Sequence, residues 1–218
     1  MSDLQQEQKH PTLDFFKNNQ KSVTGFLVIL VVILGGYFGY MELYQKPRET
    51  KAADAMFTAE NYFFQDSSNL VLNGDGANKG VLFIIKQYSG TKAANIAKFY
   101  AGISYFKLGN FNKSIEYLKD FSTEAKQIQA IAYGTLGDAY SELKKNTEAL
   151  DYYKKAGTYF PEDEAISAEY LFREAQLQEV LGKNEEAVSI YKDIKAKYPK
   201  TEIGLNADKF IFKLKVQP

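Results

Sequence analysis

The chain has no cysteine and no tryptophan, and one histidine among 218 residues. Without cysteine there are no disulfides, no zinc–thiolate sites and no thiol nucleophile. With His10 alone, neither a histidine-based triad nor a multi-histidine metal site can be built. His10 lies in a polar stretch that suits a solvated side chain. An excess of charge of one sign is also missing. Lys plus Arg number 27, Asp plus Glu 27, and the formal net charge is zero. From Pro47 onward each class counts 23, so there is no net basic field for nucleic acid. The local cluster Lys192–Lys200 fits a solvated helix face. What is plentiful is apolar: 45% hydrophobic and 15% aromatic residues, which favours a packed core over disorder.

One long uncharged run stands out. "SVTGFLVILVVILGGYFGYM", Ser22 to Met41, has no Asp, Glu, Lys or Arg. As a helix its twenty residues span about 30 Å, the thickness of a bilayer core. Lys17 and Lys21 precede it; Glu42, Lys46 and Arg48 follow. Tyr37, Phe38, Tyr40 and Tyr44 gather at its C-terminal end like an interfacial belt. A cleaved signal peptide has a shorter apolar region and a small-residue exit, and a core helix has a polar face; this run shows neither feature. The flanking positive charges tie, with Lys9, Lys17 and Lys21 against Lys46, Arg48 and Lys51, so charge does not orient the span. Pro47 disfavours a straight continuation and marks residues 45–50 as a linker or hinge.

The rest of the chain repeats itself. In residues 130–161, Leu136-Gly137 is followed by Tyr140, Ala149, Tyr153, Ala156 and Pro161. Small residues allow two helices to approach, and aromatics fill the space around the crossing. The pattern is that of a tetratricopeptide repeat. It recurs earlier as Gly102, Tyr105, Gly109, Ser114, Leu118 and Phe121. It recurs later as Ala175, Gly182, Ala187, Tyr191, Ile194 and Pro199. Gln178 replaces the first-helix aromatic in the last copy, and Lys144 the turn glycine in the middle one. The acids around Glu162–Glu164 favour a helix start there. The spacing thus predicts an all-α chain: a polar tail over 1–21, a transmembrane helix over 22–44, a linker over 45–50 and three repeats in an α-solenoid over 95–200. A C-terminal capping helix follows over 201–218, with Leu205, Phe210, Phe212 and Leu214 apolar and Thr201 or Glu202 at its start.

Residues 51–94 form an irregular first repeat. Ala52, Met56, Ala59 and Phe63 share one helical face, as do Val81, Ile84, Ile85 and Tyr88. Between them lies a glycine-rich insertion, "LNGDGANKGV". It is not a P-loop, because Lys79 precedes Gly80 and no strand leads into it. It is not an EF-hand, because placing Gly80 sixth puts Lys86 where glutamate is required. A structural loop remains, with Asp75 or Asn78 capping the next helix; contact with a partner is the other use open to residues 70–81.

A single span, a short linker and a tetratricopeptide domain resemble the YfgM-type proteins, ancillary subunits of the SecYEG translocon. The resemblance runs from about Lys17 to Lys215. It implies a single-pass protein of the bacterial inner membrane with its repeats in the periplasm. It also implies association with the translocon and with periplasmic chaperones, and no catalytic residues.

The leading expectation is therefore a membrane-anchored protein-binding scaffold with no cofactor and no metal. The first helices of the repeats line a groove. Its candidate residues are Phe99, Ile103 and Phe106 in the first repeat, Asp138, Ser141 and Glu142 in the second, and Phe172, Gln176 and Glu179 in the third. They run from apolar to acidic and suit a hydrophobic segment with a basic end; Phe99 and Phe172 equally suit burial between repeats. A carboxylate clamp is not expected, because Phe99 and Ile103 occupy positions where lysine and asparagine are needed. The alternative is an envelope-assembly subunit whose span makes the specific contact through Gly35 and Gly39. The eight acids between Glu162 and Glu186 fit a solvated face better than an acid–base pair, so no enzymatic activity is expected.

Overall fold

The computed structural model describes residues 19–215. Lys9, His10 and Lys17, with the rest of 1–18 and the last three residues of the cap, lie outside it. The described residues are helical throughout apart from turns and one isolated bridge between Gly74 and Lys79. The chain divides into two units, 1–50 and 51–218.

The first unit is dominated by α1 (Gln20–Tyr40), in which no residue is buried. It is long and apolar enough to cross a membrane. A π-helical turn, Met41–Gln45, follows, and α2 (Lys46–Phe64) begins directly after it. The linker expected over 45–50 is therefore helical. The reason lies in the π turn. The Lys46 N–H donates to Met41 O, five residues back, which widens the backbone ahead of Pro47. A proline in an unbroken α-ladder would strand a carbonyl and clash with it; a wider turn upstream relieves both.

The second unit begins in α2 and continues through α3 (Ser68–Asn73), α4 (Val81–Gln87), α5 (Lys92–Lys107) and α6 (Phe111–Lys119). Then come α7 (Lys126–Glu142), α8 (Asn146–Tyr159), α9 (Glu164–Val180), α10 (Asn184–Lys197) and α11 (Glu202–Lys215). From α4 onward each helix packs chiefly on its sequence neighbours, while α3 packs more on α5 than on α4. The core accordingly forms three clusters in chain order. The first joins Ala52, Met56 and Ala59 to Val71, Ile84 and Ala97. The second centres on Leu118, Leu136 and Tyr153, and the third on Leu171, Tyr191 and Ile194. Ile211 and Leu214 of α11 close the last cluster. Thr201 caps α11, its Oγ1 accepting from the Gly204 N–H at 3.1 Å, while Leu205 and Phe212 face outward.

Close helix crossings explain the small residues. A Cβ at Gly137 would lie 2.5 Å from the Tyr153 ring, and one at Gly102 would lie 2.4 Å from Leu118 Cγ. Around these crossings two tyrosine pairs stack: Tyr105 on Tyr117 at 5.5 Å and Tyr140 on Tyr152 at 5.4 Å. In the third repeat Gln178 stands where the first-helix tyrosine was, and its Oε1 is buried with no partner among the described residues. Asp163 caps α9, accepting from the Ile166 N–H at 3.1 Å, as the acids there suggest.

The three turns within the repeats share one hydrogen-bond pattern. Gly109, Lys144 and Gly182 each donate three residues back, at 2.9 Å in every case, and the next residue donates five back. That closure needs a left-handed residue, and Lys144 adopts φ 58 where Gly109 and Gly182 adopt 74.

The glycine-rich insertion is a tied loop. Asp75 accepts from the Asn78 N–H at 2.6 Å and from the Tyr62 hydroxyl at 2.7 Å. The Asn78 backbone bond, with those from Tyr62 and the Asn78 side chain, holds the Asp75 carboxyl down at about 2. Neither Asp75 nor Asn78 caps the next helix, contrary to expectation. Gly80 occupies that N-cap with no side-chain bond, because Asp75 is turned inward onto its own loop.

Two stability changes are expected. Lys144→Gly removes a left-handed side chain and should raise the unfolding free energy by about 1 kcal/mol. Gly137→Val drives a side chain into Tyr153 and should lower it by about 1–3 kcal/mol. Urea denaturation followed by circular dichroism reads both.

Candidate partner-binding groove

The first helices of the repeats, α5, α7 and α9, carry the residues predicted for the groove. On α5, Ile103 is half-buried and Phe106 packs its ring 5.6 Å from Phe111. Phe99 is also half-buried, 5.4 Å from Phe121 at the junction with the second repeat. The α5 portion is therefore apolar, with Phe99 partly committed to packing.

The α7 portion differs from expectation. Asp138 is not a free acid. Arg173 Nη1 on α9 donates to both of its carboxylate oxygens at 2.7 Å, and the Tyr153 hydroxyl donates at 2.9 Å. The Asp138 side chain is 19% exposed. Arg173 Nε also donates to Glu169 at 2.8 Å, and its guanidinium lies 5.4 Å from the Tyr170 ring centre. Burial, then the charge on Asp138, pushes the Tyr153 hydroxyl far up, and burial pushes Tyr170 up to about 12. Both hydroxyls thus stay protonated over the physiological range, and Tyr153 donates to Asp138.

Glu179 is likewise engaged. It accepts from the Tyr191 hydroxyl on α10 and from Lys213 Nζ on α11 at 3.3 Å. Phe172 is half-buried and partly committed to packing. Its ring packs 4.9 Å from Phe210 and 5.8 Å from Tyr191, beneath the capping helix. The last repeat has no further repeat to cover it, so α11 claims that face.

What remains between α7 and α9 is a cavity of about 460 Å³. Ser141, Asn146, Gln176 and Tyr153 offer hydrogen-bonding groups there, Leu177 and Val180 an apolar edge, and Lys144 and Arg173 the cations. The charge of Arg173 is balanced by Asp138 and Glu169. Of the acids expected along these helices, Asp138 and Glu179 are paired, and Glu142 is exposed. Sequence reading missed Arg173, Tyr153 and Asn146. Arg173 was visible only as a basic residue within an acidic segment, and its partner lies 35 residues away.

Gly35 and Gly39 lie on α1, where an added Cβ would meet nothing within 4 Å. The helix face that they share carries no side-chain packing among the described residues.

A double-mutant cycle tests the Asp138–Arg173 link. Arg173→Met and Asp138→Asn should each cost about 1–3 kcal/mol of stability in the detergent-solubilised chain. The double change should cost less than the two together, by roughly 1 kcal/mol or more. Additive costs would mean that the pair contributes nothing jointly.

Comparison with known proteins agrees with this geometry. Residues 97–125, 130–163 and 169–201 match the tetratricopeptide repeat. No characterised protein sequence matches the chain closely enough to count as a relative. Among solved structures, a putative kinesin light chain of Podosopora anserina with nearly identical TPR-like repeats is similar in fold. A substituted variant of it superposes with a TM-score of 0.57 at 11% identity, over 76% of this chain and 85% of that one. The unsubstituted protein gives 0.56 at 12% identity, over 76% and 86%. Three segments of the chain thus match the tetratricopeptide repeat, and its fold is similar to that of TPR-like repeat structures.

Proposed function

We propose that this protein is a membrane-anchored scaffold that binds a partner polypeptide, and that it acts as an accessory subunit at the SecYEG translocon or in periplasmic chaperone traffic. The observation that carries the scaffold reading is the row of three tetratricopeptide repeats behind a helix able to cross a membrane. Stacked helix pairs hold a preformed surface, and such surfaces bind extended or helical segments at little cost in order. Here the surface offers Ile103 and Phe106 at one end and Ser141, Asn146 and Gln176 at the other. It suits a segment with an apolar anchor followed by uncharged backbone. The translocon assignment, the inner membrane and the periplasmic placement rest on the resemblance to the YfgM-type proteins.

A second reading is supported by α1. Gly35, Gly36 and Gly39 leave room for another helix to approach closely. An envelope-assembly subunit would make its specific contact there.

Protease treatment of cells tests the placement, and pull-down tests the surface. Digestion of the repeats only after outer-membrane permeabilisation is expected; protection until the inner membrane is broken overturns the periplasmic placement. Ile103→Asp with Phe106→Asp should abolish partner recovery, and an unrelated span in place of α1 should leave it intact. The reverse pattern favours the second reading.

A further inference from the structure

The groove makes no use of a cavity on the opposite side of the third repeat. It measures about 430 Å³ and opens between α8, α9 and α10. That is within the roughly 300–1,000 Å³ range of small-ligand sites. Pro161, Leu171, Ile190 and Tyr198 supply apolar wall. Glu174 of α9 lines the same space and is 8% exposed. Among the described residues, no hydrogen bond or ion pair reaches its carboxylate.

A carboxylate in such a place is costly to the fold, and glutamine or leucine would serve packing better. We propose that the cavity is a binding site for an organic cation, an ammonium or guanidinium on an apolar stem. The cation pairs with Glu174, and the stem lies against Leu171, Ile190 and Tyr198.

The surrounding charges permit this. From α10, Lys197 and Asp193 pair with each other at 3.5 Å and cancel. From α8, Lys154 and Thr158 stand on the exposed side. Burial raises the Glu174 carboxyl, Lys154 draws it partly back, and it settles at about 7. An incoming cation replaces lost water with a charge partner and drives the proton off. Binding should therefore strengthen as pH rises through 7 and release a proton below it.

Two sources carry this chemistry: a lysine or arginine side chain of a bound polypeptide, and a free amine. The scaffold reading favours the first, and only that choice rests on it.

Calorimetric titration of the full-length protein in detergent tests the site. The probes are n-butylguanidinium, n-butylammonium and neutral n-butanol, with acetyl-Gly-Arg-Gly-amide as the peptide. Both cations should bind saturably, and n-butanol should not. Affinity should fall about tenfold from pH 8 to pH 6, as the ionised fraction falls. Glu174→Gln should weaken binding by about tenfold or more. Thr158→Phe, at the rim, should block binding while leaving the carboxylate in place. Equal cation binding by wild type and Glu174→Gln, or n-butanol binding as tightly as n-butylammonium, overturns the proposal.

Folding of the variant is checked by its own pH signature. A carboxyl raised in the folded state contributes fully below its unfolded value, near 4.5, and that contribution is lost as pH rises through about 7. Glu174→Gln should thus be more stable than wild type at pH 8 and no more stable at pH 4.5. Peptide binding that depends on Glu174 assigns the cation to a polypeptide side chain. Binding of the amines without the peptide assigns it to a small amine and overturns the side-chain source. Loss of partner recovery in the groove experiment leaves these titrations unchanged, so the two readings fail separately.

Discussion

How closely the two helices of a repeat can lie together governs the second unit of this protein. Where Gly102 and Gly137 sit, the facing side chain enters the space a Cβ would fill. That approach brings Leu118 and Tyr153 into the core and sets the position of the next first helix. Because each repeat buries its second face only against its neighbour, the core grows as a chain of clusters rather than as one centre. The ends of such an array need special treatment, and both receive it. Residues 51–94 form an irregular opening with a tied loop, and α11 covers the last open face.

This arrangement also decides which polar groups are free for function. Asp138 and Glu179 have the residue type and helical phase of groove acids. Asp138 holds Arg173 across from α7 to α9, and Glu179 holds Tyr191 and Lys213 at the cap. Both carboxylates join neighbouring elements, and their charge is engaged there. Glu174 is the opposite case. It lies on the same helix as Glu179, faces the other way, and is buried with no bonded partner among the described residues. A charge held in a solvated or paired site is ordinary; a buried one lining a cavity directs attention to what fills the cavity.

The same contrast separates the glycine-rich insertion from a ligand site. Its residue types suit phosphate or calcium binding. In the fold, the Asp75 oxygens are taken by Asn78 and Tyr62, which hold the loop closed. Acceptors already engaged by their own backbone have little left for an ion.

Local pattern alone determined the helices, the three repeats, the left-handed turn position filled by Lys144 and the apolar span. Each depends on residues within a few turns of one another, and period and propensity report such relations directly. Tertiary structure alone decided the pairing of Asp138 with Arg173, the claim of the cap on Phe172, the helical path through residues 45–50 and the burial of Glu174. The first two join residues 35 and 38 positions apart, at distances no periodicity encodes. The third turned on whether the backbone ahead of Pro47 would widen. The last turned on which side of α9 meets α8 and α10. A residue's type states what it can do, and its neighbours across the packing decide what it is left free to do.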